Sequence, residues 1–390
     1  MSVVEIILLS ISIAALGGWL LTWFIHTVAL IYGIRKLHKP SPQISPEDLQ
    51  GVSIIKPLVG VDSNLYYNLE TFFNIKYPAY ELLFSVHDEQ DPAIMIVQKL
   101  IERYPKVDAK LFIGMKYVGP NGKVNNMMKP FEACKYDLVN ISDSSIKASP
   151  EVLMDMVGHM TADTGLVLQM PFCCDRKGFA AIYEKVFFGT MQARNMLTAI
   201  ALGINCSTGM SSMIRKEIVE RAGGLQHFAQ YLAEDFFLAH QTVQQGFKVK
   251  LSNMLAMQNS GAYSVDHFHQ RLTRWGRLRV ATVPTLLVLE PLSECILQGL
   301  LISWCVEYLF GLSSMAFFLM HVLVWFLVDY TLLNICQNGP LPFSKFEFLC
   351  AWLFRECTSS YLSLKGHFSS AIVWRHRKYR LRWGGTIEEI

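Results

Sequence analysis

Lys135-Tyr136-Asp137-Leu138-Val139-Asn140-Ile141-Ser142-Asp143-Ser144-Ser145 is the stretch on which the fold turns. Leu138, Val139 and Ile141 make a short apolar run that fits a buried strand better than a turn of helix. The run stops at Asp143, Ser144 and Ser145, all small and polar. Open α/β sheets bind ligands beyond the carboxyl ends of their strands, where loops and helix N-termini converge. A carboxylate there can hold a hard divalent cation, which in turn can grip a diphosphate. The plainer reading is that Asp143 caps the next helix. Ser149-Pro150 already offers a cap and a first-turn residue for a helix over about 150–160, which leaves Asp143 available.

Working back toward the N-terminus, residues 52–55 (Val-Ser-Ile-Ile) predict a first strand and 80–86 a second, followed by a helix over about 94–104. Residues 110–113 predict a third strand, and 138–142 is the fourth. Strands alternating with helical segments specify βαβ units, hence an α/β fold with a largely parallel sheet. The second strand runs into His87-Asp88-Glu89-Gln90-Asp91-Pro92. Asp88 or Asp91 is placed to accept from a nucleobase N–H or to bond a ribose hydroxyl. Acidic residues ahead of a helix also simply suit its dipole. The loop Gly119-Pro120-Asn121-Gly122-Lys123-Val124-Asn125-Asn126 supplies turn residues, amide donors and the cation of Lys123. A phosphate would be satisfied there, and so would an ordinary surface turn.

Beyond the fourth strand, residues 187–204 are moderately apolar but carry Arg194, so no membrane span is assigned to them. Residues 208–212 (Thr-Gly-Met-Ser-Ser) read as a small-residue loop before a helix over about 215–222, which Gly223-Gly224 stops. Glu234-Asp235 then sits inside the hydrophobic, helix-like run 231–238. Such a pair is costly to bury unless it is paired or functional, so it is either a helix-dipole partner or the seat of a catalytic base. In 268–279, Phe268, Leu272 and Trp275 share one helix face, and Arg271 and Arg274 share another. A basic amphipathic helix of this kind lies on a membrane surface. Two guanidiniums three residues apart also suit a diphosphate clamp.

Composition sets the frame. The chain has 390 residues, 52% hydrophobic and only 17% charged, with a mean hydropathy of +0.27. That is unusual for a purely soluble enzyme. A net charge of +3 is too small to imply a nucleic-acid partner. Nine scattered cysteines without a CxxC pair argue against a disulfide framework or a zinc site, and suit a reducing compartment.

Residues 6–34 contain no Asp, Glu, Lys or Arg, enough helix to cross a bilayer, and lack the basic start of a signal peptide. Arg35, Lys36 and Lys39 follow at once, which places the next domain in the cytosol. Residues 40–51 form a polar linker. Toward the C-terminus, 292–310 is interrupted by Glu294 and Glu307, 308–328 is uncharged, and 348–364 contains Arg355 and Glu356. Three spans here would leave the tail Arg375-His376-Arg377-Lys378-Tyr379-Arg380-Leu381-Arg382 outside, against the positive-inside rule. One segment is therefore expected to be re-entrant or interfacial.

The ordered set Asp88/Asp91, Asp143, Glu234-Asp235 and Arg271-Leu272-Thr273-Arg274-Trp275 resembles the "D, D, D, (Q/R)xxRW" pattern of membrane-bound inverting glycosyltransferases with a GT-A (Rossmann-like) fold. Within that group the chain is similar to the family that glucosylates ceramide, from the N-terminal anchor through 51–58, 68–73 and 231–237 to the tail 379–390. The resemblance implies transfer of glucose from UDP-glucose to the primary hydroxyl of ceramide on the cytosolic face of the Golgi membrane. It implies that Asp88 or Asp91 and Asp143 bind the UDP-sugar, to which the phosphate-suited loop adds Lys123. Asp143 would hold Mg²⁺ or Mn²⁺, Asp235 would be the general base, and Arg271, Arg274 and Trp275 the leaving-group motif. Arg271 matches the first position of the motif, where polysaccharide synthases commonly have Gln; the departure is Asp-Ser-Ser in place of Asp-x-Asp at 143–145, which removes one metal carboxylate.

The expected organisation is an anchor at 1–34, a linker at 35–51, a catalytic domain at 52–265 and an interfacial helix at 266–282. Membrane helices at 283–366 and a basic tail at 367–390 complete it. The bilayer is an expected partner, and a homo-oligomer is left open. A processive polysaccharide synthase would be expected to have more spans and Gln at 271. A lipid carrier or nucleotide-sugar scaffold would have no need for Asp235 and the two arginines.

Overall fold

The computed structural model describes residues 2–261, 264–367, 371–374 and 377–390. The chain divides into two compact units. One, an α/β unit, takes residues 36–174, 202–263 and 373–390. The other, a helical unit, takes 1–35, 175–201 and 264–372. Residues 175–201, expected inside the catalytic domain, thus cluster with the helices, and the tail clusters with the α/β unit.

In the α/β unit the strands are β1 (Val52–Leu58), β2 (Tyr80–Val86), β3 (Ala109–Ile113), β4 (Leu138–Ser142), β5 (Ile146–Lys147), β6 (Thr164–Leu168), β7 (Pro171–Cys173), β8 (Ser211–Arg215), β9 (Lys248–Leu251) and β10 (Ala256–Gln258). A seven-stranded sheet runs in the order β3-β2-β1-β4-β8-β6-β9. Strands β3, β2, β1 and β4 are mutually parallel, and β8 runs antiparallel to both neighbours, β4 and β6. A small sheet, β5-β10-β7, lies beside it. Strands β1 and β4 are buried along nearly their whole length, as expected of strands covered on both faces. Burial of Ile54, Ile55, Leu138 and Val139 stabilises the sheet by roughly 1.5–3 kcal/mol per side chain.

Three local readings are corrected. The helix after β4 spans Val152–Gly158, with Glu151 at the cap position and no side-chain cap bond. Ser149 instead donates its hydroxyl to the Glu151 carboxylate. The 119–126 loop becomes the helix Gly122–Glu132, whose cap Asn121 accepts from the Lys123 and Val124 amides. Residues 211–215, read as loop and helix start, are β8, because Met213 and Ile214 bury completely between two neighbouring strands. The stop at Gly223-Gly224 is as expected, with both glycines at positive φ (100° and 83°).

Residues 377–381 and 387–389 pair antiparallel, and Thr386 bridges to Tyr231. A tail tied into the α/β unit shares its side of any bilayer, so an even number of crossings separates them. This removes the conflict with the positive-inside rule that three C-terminal spans created.

In the helical unit, Val3–Lys36 and Ser314–Gln337 are each long and apolar enough to cross a membrane, so the chain is a membrane protein. The segments Leu286–Leu292 and Cys295–Phe310 are bent by 78° at their junction, as a broken span or re-entrant loop. The uncharged stretch expected at 308–328 is displaced: Gly311 ends one helix at φ 69°, and the next begins at Ser314. That helix carries Asp329, fully buried, which accepts from Arg355 (2.9 Å), Trp352 (2.9 Å) and Arg194 (3.4 Å). Charges hidden this way are affordable inside apolar helices because each meets its opposite.

Candidate active site

Strand β4 delivers Asp143 at its carboxyl end, half-buried, with its amide bonded to the Met210 carbonyl (2.9 Å). Beneath it lies Lys56 of β1, fully buried, donating to the Asp143 carbonyl (2.6 Å) and the Ser142 hydroxyl (3.2 Å) and packed on Phe72. Burial pushes the Lys56 ammonium well below its ordinary pKa, against the pull of Asp143. Lys56 was not singled out from sequence; the available signal was a lone cation inside an apolar strand.

The first turn of the Gly122–Glu132 helix aims Lys123 at the same place. Its ammonium lies 2.9 Å from Asp143 Oδ1, 3.0 Å from Glu234 Oε1 and 3.1 Å from the Gly209 carbonyl. Burial alone would lower its pKa, but Asp143 and Glu234 outweigh that and raise it, so Lys123 is a permanent cation. Glu234 is buried and also accepts from Asn121 (3.1 Å). The costly acidic pair therefore divides its work: Glu234 is the structural partner of Lys123 and Asn121, and Asp235 is left to face the cluster.

Both acids open the helix Glu234–Gln244. This helix is seated closely because Gly165 of β6 has no side chain. A Cβ there would stand 2.7 Å from Thr242 and 2.4 Å from Ile218. Asp235 is half-buried, and desolvation together with the neighbouring Glu234 charge raises its carboxyl to about 6, with Lys123 pulling the other way. Gly209 lies against it: a Cβ at 209 would sit 3.3 Å from both Asp235 Oδ2 and Lys123 Nζ. The sequence placed Gly209 only in a small-residue loop.

At the end of β2 the two candidates separate. Asp91 is buried, and its oxygens accept from the Gly60 amide (2.7 Å) and the Ala93 amide (2.9 Å). It clamps the loop after β1 to the start of the next helix. Asp88 is exposed and accepts from the Gln90 amide (2.9 Å).

Within the helical unit, Val265–Thr282 forms one helix capped by Ser264. Arg271 stacks on Trp275 (4.5 Å), one turn on, and pairs with buried Glu184 (3.4 Å). Phe268 and Trp275 both pack on Phe188, as a shared face requires, and Arg271 reaches the same ring (5.9 Å). Arg274 is half-buried on the same helix. Phe268 is fully buried against Tyr183 and Phe187.

The half-exposed Asp143 carboxylate suits a hard cation, but the set of ligands is short. Among the described residues no three His, Cys, Asp or Glu side chains form a metal-binding group. One carboxylate fits a divalent ion that completes its shell with substrate phosphate and water.

Residues 21–387 match the family model "Glycosyl transferase family 21". The chain is 42% identical over 382 residues, 96% of its length and 81% of the relative's, to ceramide glucosyltransferase 1 of Caenorhabditis elegans. It is 26% identical to the ceramide glucosyltransferase of Komagataella phaffii, over 94% of this chain and 90% of that one. Among solved structures, a mannosyltransferase from Pyrobaculum calidifontis, in complex with GDP-Man and Mn²⁺, superposes with a TM-score of 0.52 at 14% identity. That match covers 85% of this chain and 98% of the other. The fold is of the GT-A kind.

Proposed function

Because the chain belongs to glycosyl transferase family 21, we propose that it transfers glucose from UDP-glucose to the primary hydroxyl of ceramide, inverting the anomeric centre. The carrying observation is the cluster at the strand ends, where Asp143, Lys123 and Asp235 lie together; open α/β sheets bind ligands beyond such ends, which supports a donor site there. The relatives named as ceramide glucosyltransferases support the choice of acceptor.

An alcohol is a poor nucleophile, so a base must take its proton as it attacks. Asp235 suits that role: with its carboxyl near 6 it is ionised at neutral pH and still basic. One displacement inverts the donor, so one base suffices. Lys123, held as a cation by its carboxylate partners, stabilises the charge of the diphosphate. Asp91 shapes the nucleoside end by holding the loop at Gly60, and Asp88 offers an exposed carboxylate beside it. Arg271, Arg274 and Trp275 match the leaving-group motif, and the stack of Arg271 on Trp275 presets the guanidinium plane. A divalent ion on Asp143, Mg²⁺ or Mn²⁺, would supply further charge neutralisation at the leaving diphosphate. The membrane helices bring a water-insoluble acceptor to the enzyme. The basic residues after the first span support a cytosolic α/β unit, and we assign the enzyme to the Golgi membrane.

The test is incubation of purified protein with ceramide and labelled UDP-glucose or UDP-galactose. A lipid-extractable β-glucoside is expected. Polymeric product, or ceramide binding without sugar consumption, would sink the reading.

A further inference from the structure

The helical unit contains a partly open cleft, lined among others by Phe187, Leu272, Gly276, Glu294, Arg355 and Ser363. Most of its wall is apolar, but three polar side chains in it are incompletely bonded. Glu294 and Arg355 are each 2% exposed. Glu294 Oε2, Arg355 Nε and Ser363 Oγ are buried and have no hydrogen-bond partner among the described residues. Unsatisfied groups of this kind are expensive and rare in a finished structure.

Glu294 has no evident structural task. It occupies the cap position of Cys295–Phe310, at the corner where that helix breaks from its predecessor by 78°, yet makes no side-chain cap bond. Arg355 places its other nitrogens on Thr190, Asp329 and Glu356, and Nε is left over. The remaining charges in the wall cancel, since Arg279 pairs with Glu290. The cleft therefore carries acceptors and donors without a surplus cation. A phosphate headgroup would find no countercharge, whereas a neutral group that both donates and accepts would satisfy all three residues.

We propose that this cleft is the acceptor-lipid site. The ceramide amide N–H is donated to Glu294, and its carbonyl and secondary hydroxyl meet Arg355 and Ser363. The apolar wall takes the first carbons of the two chains. The assignment rests on the ceramide reading above and adds the residues that select an amide-bearing lipid over a glycerolipid. Gly276 keeps the space open. A Cβ there would have only Arg279 Nη2 nearby, at 3.9 Å, so this part of the lining has room for a side chain.

The experiment uses the full-length protein in lipid nanodiscs with a short-chain fluorescent ceramide, measuring equilibrium binding without donor, then KM for ceramide and for UDP-glucose. Gly276→Leu and Glu294→Gln are each expected to weaken ceramide binding and raise its KM about tenfold or more, as loss of one buried bond or of cleft volume implies. UDP binding and KM for UDP-glucose should stay within about twofold, which also reports that each variant is folded. An N-methylated ceramide should bind poorly to the parent protein and lose nothing further with Glu294→Gln. Unchanged ceramide binding in both variants overturns the proposal, as does displacement of the probe by phosphatidic acid as readily as by ceramide. Failure of the parent protein to make any glucosylated lipid would instead overturn the function proposed above, a result separable from probe binding.

Discussion

Lys123 Nζ and Asp143 Oδ1 lie 2.9 Å apart, so the carboxylate expected to hold a metal is bridged by an internal ammonium. The same ammonium pairs with Glu234. On the proposed function, a bound diphosphate would offer Lys123 a stronger partner and release one Asp143 oxygen. Lys123→Met should therefore weaken UDP-glucose binding about tenfold or more, the value of one charge-assisted bond. It should also let Asp143 take up Mn²⁺ in the absence of nucleotide. Calorimetry with UDP and paramagnetic titration with Mn²⁺ check both; unchanged UDP affinity would remove Lys123 from the donor site.

Asp235→Asn keeps the shape of the side chain and removes its basicity. We expect kcat to fall by about 10³-fold, with UDP affinity within a factor of about three. Ordinary turnover in this variant would refute the base assignment.

The pH profile follows from the same residue. Its carboxyl lies near 6 in the ligand-free protein, so kcat/KM should fall as pH drops through about 6, where the carboxylate becomes protonated, and level off above pH 7. Lys123 lowers that pKa; in Lys123→Met the acid limb should move to higher pH. A limb at the ordinary carboxylate range near 4 would contradict the burial of Asp235 beside Glu234.

Gly209→Ala tests the close approach over the base. The added methyl would stand 3.3 Å from Asp235 Oδ2 and Lys123 Nζ and must push one of them aside. A shift of this size should lower kcat by up to about 10²-fold, with little change in thermal stability. Parental kcat would show that the Asp235 position is not critical.

Asp91→Ala removes the acceptor of two backbone amides. The loop after β1 should loosen, at a cost of about 2 kcal/mol, read in thermal unfolding, with UDP affinity falling in parallel. Asp88→Ala, at an exposed site, should leave stability unchanged, so any loss of UDP affinity there reports direct contact.

Much of the α/β half was legible in the residues. Strands 80–86 and 138–142 stand at the expected bounds, because near-continuous apolar runs ended by small polar residues have few other ways to fold. The order of the acidic motifs and RxxRW identified the family before any geometry. Strand β8 was hidden because its Ser-Ser-Met-Ile-Arg has little propensity of its own, and burial between β4 and β6 makes it a strand.

Sequence alone, then, determined the sheet's parallel half, the apolar N-terminal helix and most of the candidate side chains, since these depend on local pattern and residue chemistry. Tertiary structure decided what each touches. It divided Glu234 from Asp235 by giving one a lysine and leaving the other beside Gly209. It bound Asp91 to two amides, and folded the basic tail back onto Tyr231. These outcomes rest on contacts between residues far apart in the chain, and Coulombic pairing and burial act on distance in space, which spacing along the chain does not encode.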